Sequence, residues 1–189
     1  MRNNEGNMKM QQFTTLTTNL EAMLHESIVK IGYLKNQPVG IYYSEDLLCH
    51  LLGIESQKTE KAMQLLAQFV SENEPLWGTI LINKEKDRYK FTIPPRGIEY
   101  VYEKNKDNHF LEDLIDTLRK PGVTIALVVE VFHKYSNNVK CEISDNDEFE
   151  YAVSFRDKSI DPFIYCFTFD EMGRYYHRFT EFDYENLHE

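Results

Sequence analysis

Four stretches in the last third of the chain place an apolar or aromatic side chain at every second residue. Phe163, Tyr165, Phe167 and Phe169 form the most regular of them. Val139, Cys141 and Ile143 form another, as do Phe149, Tyr151, Val153 and Phe155, and then Tyr175, His177 and Phe179. A two-residue period belongs to a strand with one face buried, because successive side chains point to opposite sides. The breaks Asp145-Asn146-Asp147, Asp157-Lys158-Ser159 and Met172-Gly173 space the runs as turns do. The expectation is a four-stranded antiparallel meander. Two amphipathic segments precede it, one through Phe110, Leu111, Leu114, Ile115 and Leu118, the other from Thr124 to Tyr135 with Val128, Val129 and Phe132 inward. As helices they can cover one sheet face. The other face, read as holding Ile164, Cys166 and Tyr176, then packs on the N-terminal part or on a second subunit. Asp183 to Leu187 reads as a closing helical turn.

The first half of the chain carries the other period. Phe13, Leu16, Leu20, Met23, Leu24, Ile28, Ile31 and Leu34 recur at three- and four-residue intervals, the pattern of one amphipathic helix. Val39 to Tyr43 reads as a short extended piece. Ser44 then serves as an N-cap, with Glu45 and Asp46 in the first turn of a helix that stops at Gly53. A third helix starts at Ser56 and uses Ala62, Leu65, Leu66, Phe69 and Val70. Trp77 to Asn83 reads as a strand, returning through Tyr89 to Ile93, and Pro94-Pro95 ends the hairpin because proline lacks a ladder donor. A helix from Arg96 to about Lys104 follows. The chain therefore divides into a flexible stretch at 1–12, a domain at 13–104 and an α+β domain at 105–189, separated by the polar run Lys104-Asn-Lys-Asp-Asn108.

Three helices followed by a β-hairpin resemble the winged-helix arrangement. The stretch Asp87-Arg-Tyr-Lys-Phe-Thr-Ile-Pro-Pro-Arg-Gly-Ile-Glu-Tyr-Val101 is similar to the passage from wing to final helix in such domains. Over most of its length the chain also resembles a bacterial family that carries only a domain-of-unknown-function label. That likeness rests on Ile31-Gly-Tyr-Leu-Lys35, Ile41-Tyr-Tyr43, Ile93-Pro-Pro-Arg-Gly-Ile-Glu-Tyr-Val101, Val131-Phe-His-Lys-Tyr-Ser136 and Tyr176-His-Arg-Phe-Thr180. It implies one shared architecture and no activity.

Charge bears on partners. The formal net charge is −10, but residues 105–189 hold 9 basic and 18 acidic side chains, whereas residues 1–104 hold 12 basic and 13 acidic. The acidic half repels polyanions. The near-neutral half gathers Lys84, Lys86, Arg88 and Lys90 at the wing, with Lys58 and Lys61 early in the third helix. Those six are the candidate phosphate contacts of a DNA-binding reading, since a winged helix sets its third helix in the major groove. Against it, the outward positions Gln57, Lys58, Glu60, Lys61, Gln64 and Gln68 contain no Arg, the commonest reader of guanine. A winged-helix part serving contact with a protein partner fits about as well.

Catalytic signals are sparse. The glycines make no phosphate loop, and no GxSxG elbow is present. No HExxH or CxxC spacing occurs, so neither a metal nor another cofactor is expected. Asp145-Asn-Asp147 lacks the glycine and glutamate that complete a calcium loop. The one constellation worth testing is His133 at a helix end with His177, taken as inward-facing, near Tyr165 or Cys166; a histidine there could act as a general base. The leading expectation is a non-enzymatic binding or regulatory protein, ahead of a DNA-binding regulator and of an enzyme using His133 and His177. No run approaches the roughly 20 apolar residues of a membrane span. Without a signal-like start, and with three isolated cysteines, the expected location is the cytoplasm.

Overall fold

The computed structural model describes residues 13–33, 36–55, 59–144, 147–170 and 173–188, so that residues 1–12 and Lys58 lie outside it. The described residues form seven α-helices and two antiparallel sheets, an α+β arrangement. Contacts divide the chain into two units, one up to Asp107 and one from Asn108, a division inside the polar run.

In the first unit α1 (Thr14–Ile31) leads to β1 (Val39–Ser44), α2 (Glu45–Leu52) and α3 (Thr59–Trp77). The hairpin β2 (Leu81–Glu85) and β3 (Arg88–Ile93) follows, then α4 (Pro95–Asn105). The strand order is β1-β3-β2, with Ile41 opposite Phe91 and Phe91 opposite Ile82. This order is consistent with the winged-helix resemblance. Leu16, Leu20 and Leu24 of α1 pack with Leu66 and Phe69 of α3 and with Tyr43, Tyr89 and Phe91 of the sheet. Ser44 caps α2, its Oγ accepting from the Leu47 N–H at 3.2 Å, and Gly53 ends it at φ +66°, a backbone that glycine adopts without steric cost.

One expected boundary moves. Trp77 closes α3 and does not begin the hairpin strand, which starts at Leu81. Pro75 sits in the last turn of α3, and Gly78 at φ +74° turns the chain out. The Trp77 ring is buried beside Tyr100, and Gly97 lets α4 approach: a Cβ there would lie 2.8 Å from Ile93 Cγ2 and 3.1 Å from the Trp77 carbonyl oxygen.

The second unit opens with α5 (Phe110–Leu118) and α6 (Ile125–Tyr135). The meander follows as β4 (Val139–Ile143), β5 (Tyr151–Phe155), β6 (Ile164–Asp170) and β7 (Gly173–Phe179), paired in chain order. A short helix α7 (Glu181–Glu185) and a 3₁₀ turn at Asn186–His188 end it. Phe110 of α5 and Phe132 of α6 interleave with Phe155 and Tyr165 at centroid distances of 4.9 to 5.6 Å, mostly edge to face. The opposite face carries a smaller cluster of Phe149, Ala152 and Cys166, flanked by Tyr184 of α7 and Leu187. No helix among the described residues is long and apolar enough to cross a membrane.

Candidate functional site

The hairpin cations do not share one surface. Residues paired across a ladder point to the same side, so Tyr42, Lys90 and Asn83 lie on the outer face of the sheet with Ser44, Arg88 and Glu85. Lys84 is opposite buried Tyr89 and therefore projects toward the helices. Its Nζ donates to Glu45 Oε2 at 2.9 Å and lies 5.2 Å from the centre of the Tyr89 ring. That carboxylate, first among the causes, holds the Lys84 ammonium above its ordinary pKa. Lys90 sits 5.5 Å from the Tyr42 ring centre and 3.9 Å from Glu85, and the Tyr42 hydroxyl and then Glu85 raise its pKa too. Lys86 occupies the first position of the two-residue turn at φ +58°. Lys61 is exposed near the start of α3, and Lys58 lies outside the described residues. The third helix continues with Glu60, Glu72 and Glu74 exposed, so it offers phosphate a mixed surface.

The outer sheet face is also apolar in part. Tyr42 is 48% exposed and Leu81 57%, on the two strands that flank β3. Between them Lys90 lays its stem across Gly40, where a Cβ would meet the Lys90 Cε at 3.4 Å. Tyrosine, leucine, arginine and lysine thus stand side by side on one short face.

His133 and His177 are not brought together. His177 pairs with Cys166 and lies on the face of Phe149, whose ring centre is 5.4 Å away. His133 belongs to α6, which covers the other face through Phe132, and its Nδ1 is 3.2 Å from the Ser136 carbonyl. The layer of buried Val153, Tyr165 and Phe167 separates the two imidazoles, and both are solvent-exposed. The expected inward trio Tyr175, His177 and Phe179 therefore belongs to the second face. Tyr176 moves the opposite way and lies against Tyr165 and Phe167. Phe149 also leaves the face of Tyr151, because it precedes β5 and is not held by that strand's alternation. A one-residue change of register exchanges faces along a whole strand, and spacing alone does not set it.

Two polar constellations went unread in the sequence. Asp161 Oδ1 accepts from the Phe163 N–H at 2.9 Å, and its Oδ2 from the buried Tyr165 hydroxyl at 3.0 Å. Burial, with Asp161 adding to it, pushes the Tyr165 phenol well above its ordinary pKa and keeps it a donor. Arg178, opposite Tyr165, stacks its guanidinium 4.1 Å from the Phe163 ring centre. The second constellation joins the helices: Asp113 of α5 accepts from Tyr135 at 3.0 Å and from Lys134 at 3.3 Å. The i, i+4 spacing of Asp161 and Tyr165 was visible in the sequence; that both turn inward was not.

An open cleft of about 430 Å³ lies between the second sheet face and α7. Ala152, Ser154 and Ile164 line it with Tyr184, and its charged side chains include the pairs Lys140–Glu142 at 2.8 Å and Lys158–Glu181 at 2.9 Å. Cys166 nearby is buried, which pushes its thiol up to about 12 and leaves it a poor nucleophile. Among the described residues no group of three or more His, Cys, Asp or Glu side chains is placed to hold a metal ion.

Compared with known proteins, residues 13–188 match the family model described as "Domain of unknown function, E. rectale Gene description (DUF3877)". The chain belongs to the DUF3877 family. No curated protein matches it, and no solved structure does. The DUF3877 match spans both units and therefore takes in the outer sheet face, the cleft and both histidines.

Proposed function

We propose that this DUF3877 protein is a non-enzymatic binding protein that docks another protein on the outer face of its three-stranded sheet. The observation that carries the reading is the exposure of Tyr42 and Leu81 on that face, beside Arg88 and Lys90. Apolar side chains flanked by cations fit a segment bearing acidic and apolar residues. The DNA reading has less support, since Lys84 is bound to Glu45 on the helix side of the sheet and the other described candidates, Lys61, Lys86, Arg88 and Lys90, stand among Glu60, Glu85 and Asp87. An enzymatic reading has less again, with the two histidines on opposite sides of a sheet.

The test is a selection of displayed peptides against the whole chain, with Tyr42→Ala/Leu81→Ala as counter-target. Enrichment of acidic, apolar-bearing peptides that the double variant no longer binds supports the proposal. Recovery of none, or of peptides that bind both proteins equally, overturns it. A labelled random-sequence duplex is titrated in parallel. Tight binding that weakens steeply with salt and with Lys61→Ala/Lys86→Ala/Arg88→Ala would transfer the function to DNA.

A further inference from the structure

The strand β4 is an edge of its sheet, and its backbone polarity can be read from its one neighbour. The Arg156 N–H donates to the Asn138 carbonyl and the Ser144 N–H to the Glu150 carbonyl, each at 3.0 Å. Both pairs continue the register that sets Val139 opposite Phe155. In an antiparallel ladder the hydrogen-bonded residues alternate. The even-numbered residues of β4 therefore bond to β5, and Val139, Cys141 and Ile143 direct their N–H and C=O groups away from the sheet. Ile143 is 78% exposed and Cys141 is exposed as well. Neither a proline nor a bulge interrupts this edge: its five residues pair continuously with β5, and its two charges, Lys140 and Glu142, are of opposite sign.

We infer that β4 pairs antiparallel with β4 of a second copy of this chain, about a two-fold axis through Cys141. The sequence Val139-Lys-Cys-Glu-Ile143 selects this register. Only pairings between odd-numbered residues can use the outward groups, and three of these overlap well. Centring on Lys140 sets Lys140 against its own copy, and centring on Glu142 does the same with two carboxylates; both juxtapose like charges. Centring on Cys141 sets Lys140 opposite Glu142 twice, Val139 opposite Ile143 twice, and engages all the outward groups of the strand. Lys140 and Glu142 would form the non-hydrogen-bonded pairs, in which side chains come closest. Within one chain they already meet at 2.8 Å, so the paired strands hold four alternating charges. The outcome is a continuous eight-stranded sheet with the exposed Ile143 covered by Val139 of the other copy. A symmetric interface of this kind closes on itself and does not polymerise.

The test is sedimentation velocity of the whole chain over a rising concentration series, with Lys140→Glu and Glu142→Lys studied singly and mixed. Each single variant places like charges at both contacts, so dimerisation should weaken about tenfold. An equimolar mixture of the two restores opposite charges at both contacts and should recover a dimer containing one of each. A short bis-maleimide should join two copies through Cys141, since Cys49 and Cys166 are buried, and Cys141→Ser should abolish the product. A chain that stays monomeric at high concentration overturns the inference. So does a dimer that both single variants preserve, or a mixture of variants that fails to reassociate. Lys140 is exposed and Glu142 lies at the edge, and an unchanged circular dichroism spectrum confirms that each variant is folded.

Discussion

The two sheets of this protein solve the same problem differently. The three-stranded sheet buries one face under helices and leaves the other polar enough for water, with Ser44, Asn83, Arg88 and Lys90 interspersed between Tyr42 and Leu81. The four-stranded sheet has apolar or aromatic side chains on both faces. Helices α5 and α6 seal one of them, where Val153, Phe155, Tyr165 and Phe167 are fully buried. Among the described residues of this unit, the five-residue α7 and the turn after it pack on the other, and Phe179, Tyr184 and Leu187 remain half-buried. The comparison teaches that aromatic density is a poor guide to burial, since what covers a face decides how much each ring contributes.

The sharpest way to break this comparison is to remove one ring from each face of the four-stranded sheet. Phe132→Ala takes away a ring that touches Phe110, Phe155 and Tyr165 and should cost about 3–5 kcal/mol. Phe149→Ala removes a ring whose neighbours His177 and Phe179 already meet solvent, and should cost about half as much. Urea unfolding followed by far-ultraviolet circular dichroism measures both. Equal losses would show that the second face is as well sealed as the first.

Much of this architecture was legible in the sequence, and the exceptions share a cause. The four alternating runs announced the meander, the three- and four-residue periods announced most helices, and Ser44 announced the cap of α2. Each is a local signal, set by residues within a few positions. Trp77 was misplaced because an apolar run from Trp77 to Ile82 looks alike at a helix end and in a strand, and only Gly78 separates the two. That Lys84 faces away from the other wing cations was not legible, because its partner Glu45 is 39 residues away. The facing of His177 and Tyr176 failed because register is a property of two strands together. The pairing of opposite charges about Cys141 was present in the sequence all along. It acquires meaning only once β4 is known to be an edge and the direction of its free N–H groups is known.

The two units should unfold in separate transitions. Trp77 is the only tryptophan and lies in the first unit, so its fluorescence reports that unit. Gly97→Ala would force a Cβ to within 2.8 Å of the Ile93 side chain and 3.1 Å of the Trp77 carbonyl. Alanine's better helix propensity offsets part of the strain, leaving a net loss of about 1–2 kcal/mol. The fluorescence transition should move to lower urea in Gly97→Ala and stay in place in Phe132→Ala. Both transitions moving together in both variants would mean that the units unfold as one.

The smallest effect concerns the polar bond between the two helices that seal the aromatic face. The Tyr135 hydroxyl donates to Asp113, and that bond, followed by Lys134, holds the Asp113 carboxyl below its ordinary pKa. A depressed carboxylate stabilises the fold above its unfolded pKa of about 4 and ceases to do so as the pH falls through the lower folded value. Tyr135→Phe removes the larger cause. At neutral pH it should cost about 0.5–1 kcal/mol, toward the lower end for a hydrogen bond because Asp113 is partly exposed. Below pH 4 the gap between variant and wild type should narrow, since the wild type alone loses the bond to an ionised Asp113. On the alkaline side the sign reverses. Burial, with the Asp113 bond, pushes the Tyr135 phenol up to about 12, so the wild type loses stability as the pH rises from about 10 toward that value. The variant has no phenol at this position and keeps a flatter profile there. Thermal midpoints measured from acid to alkaline pH resolve both limbs, and parallel curves for the two proteins would remove Tyr135 from the account of how α5 and α6 are joined.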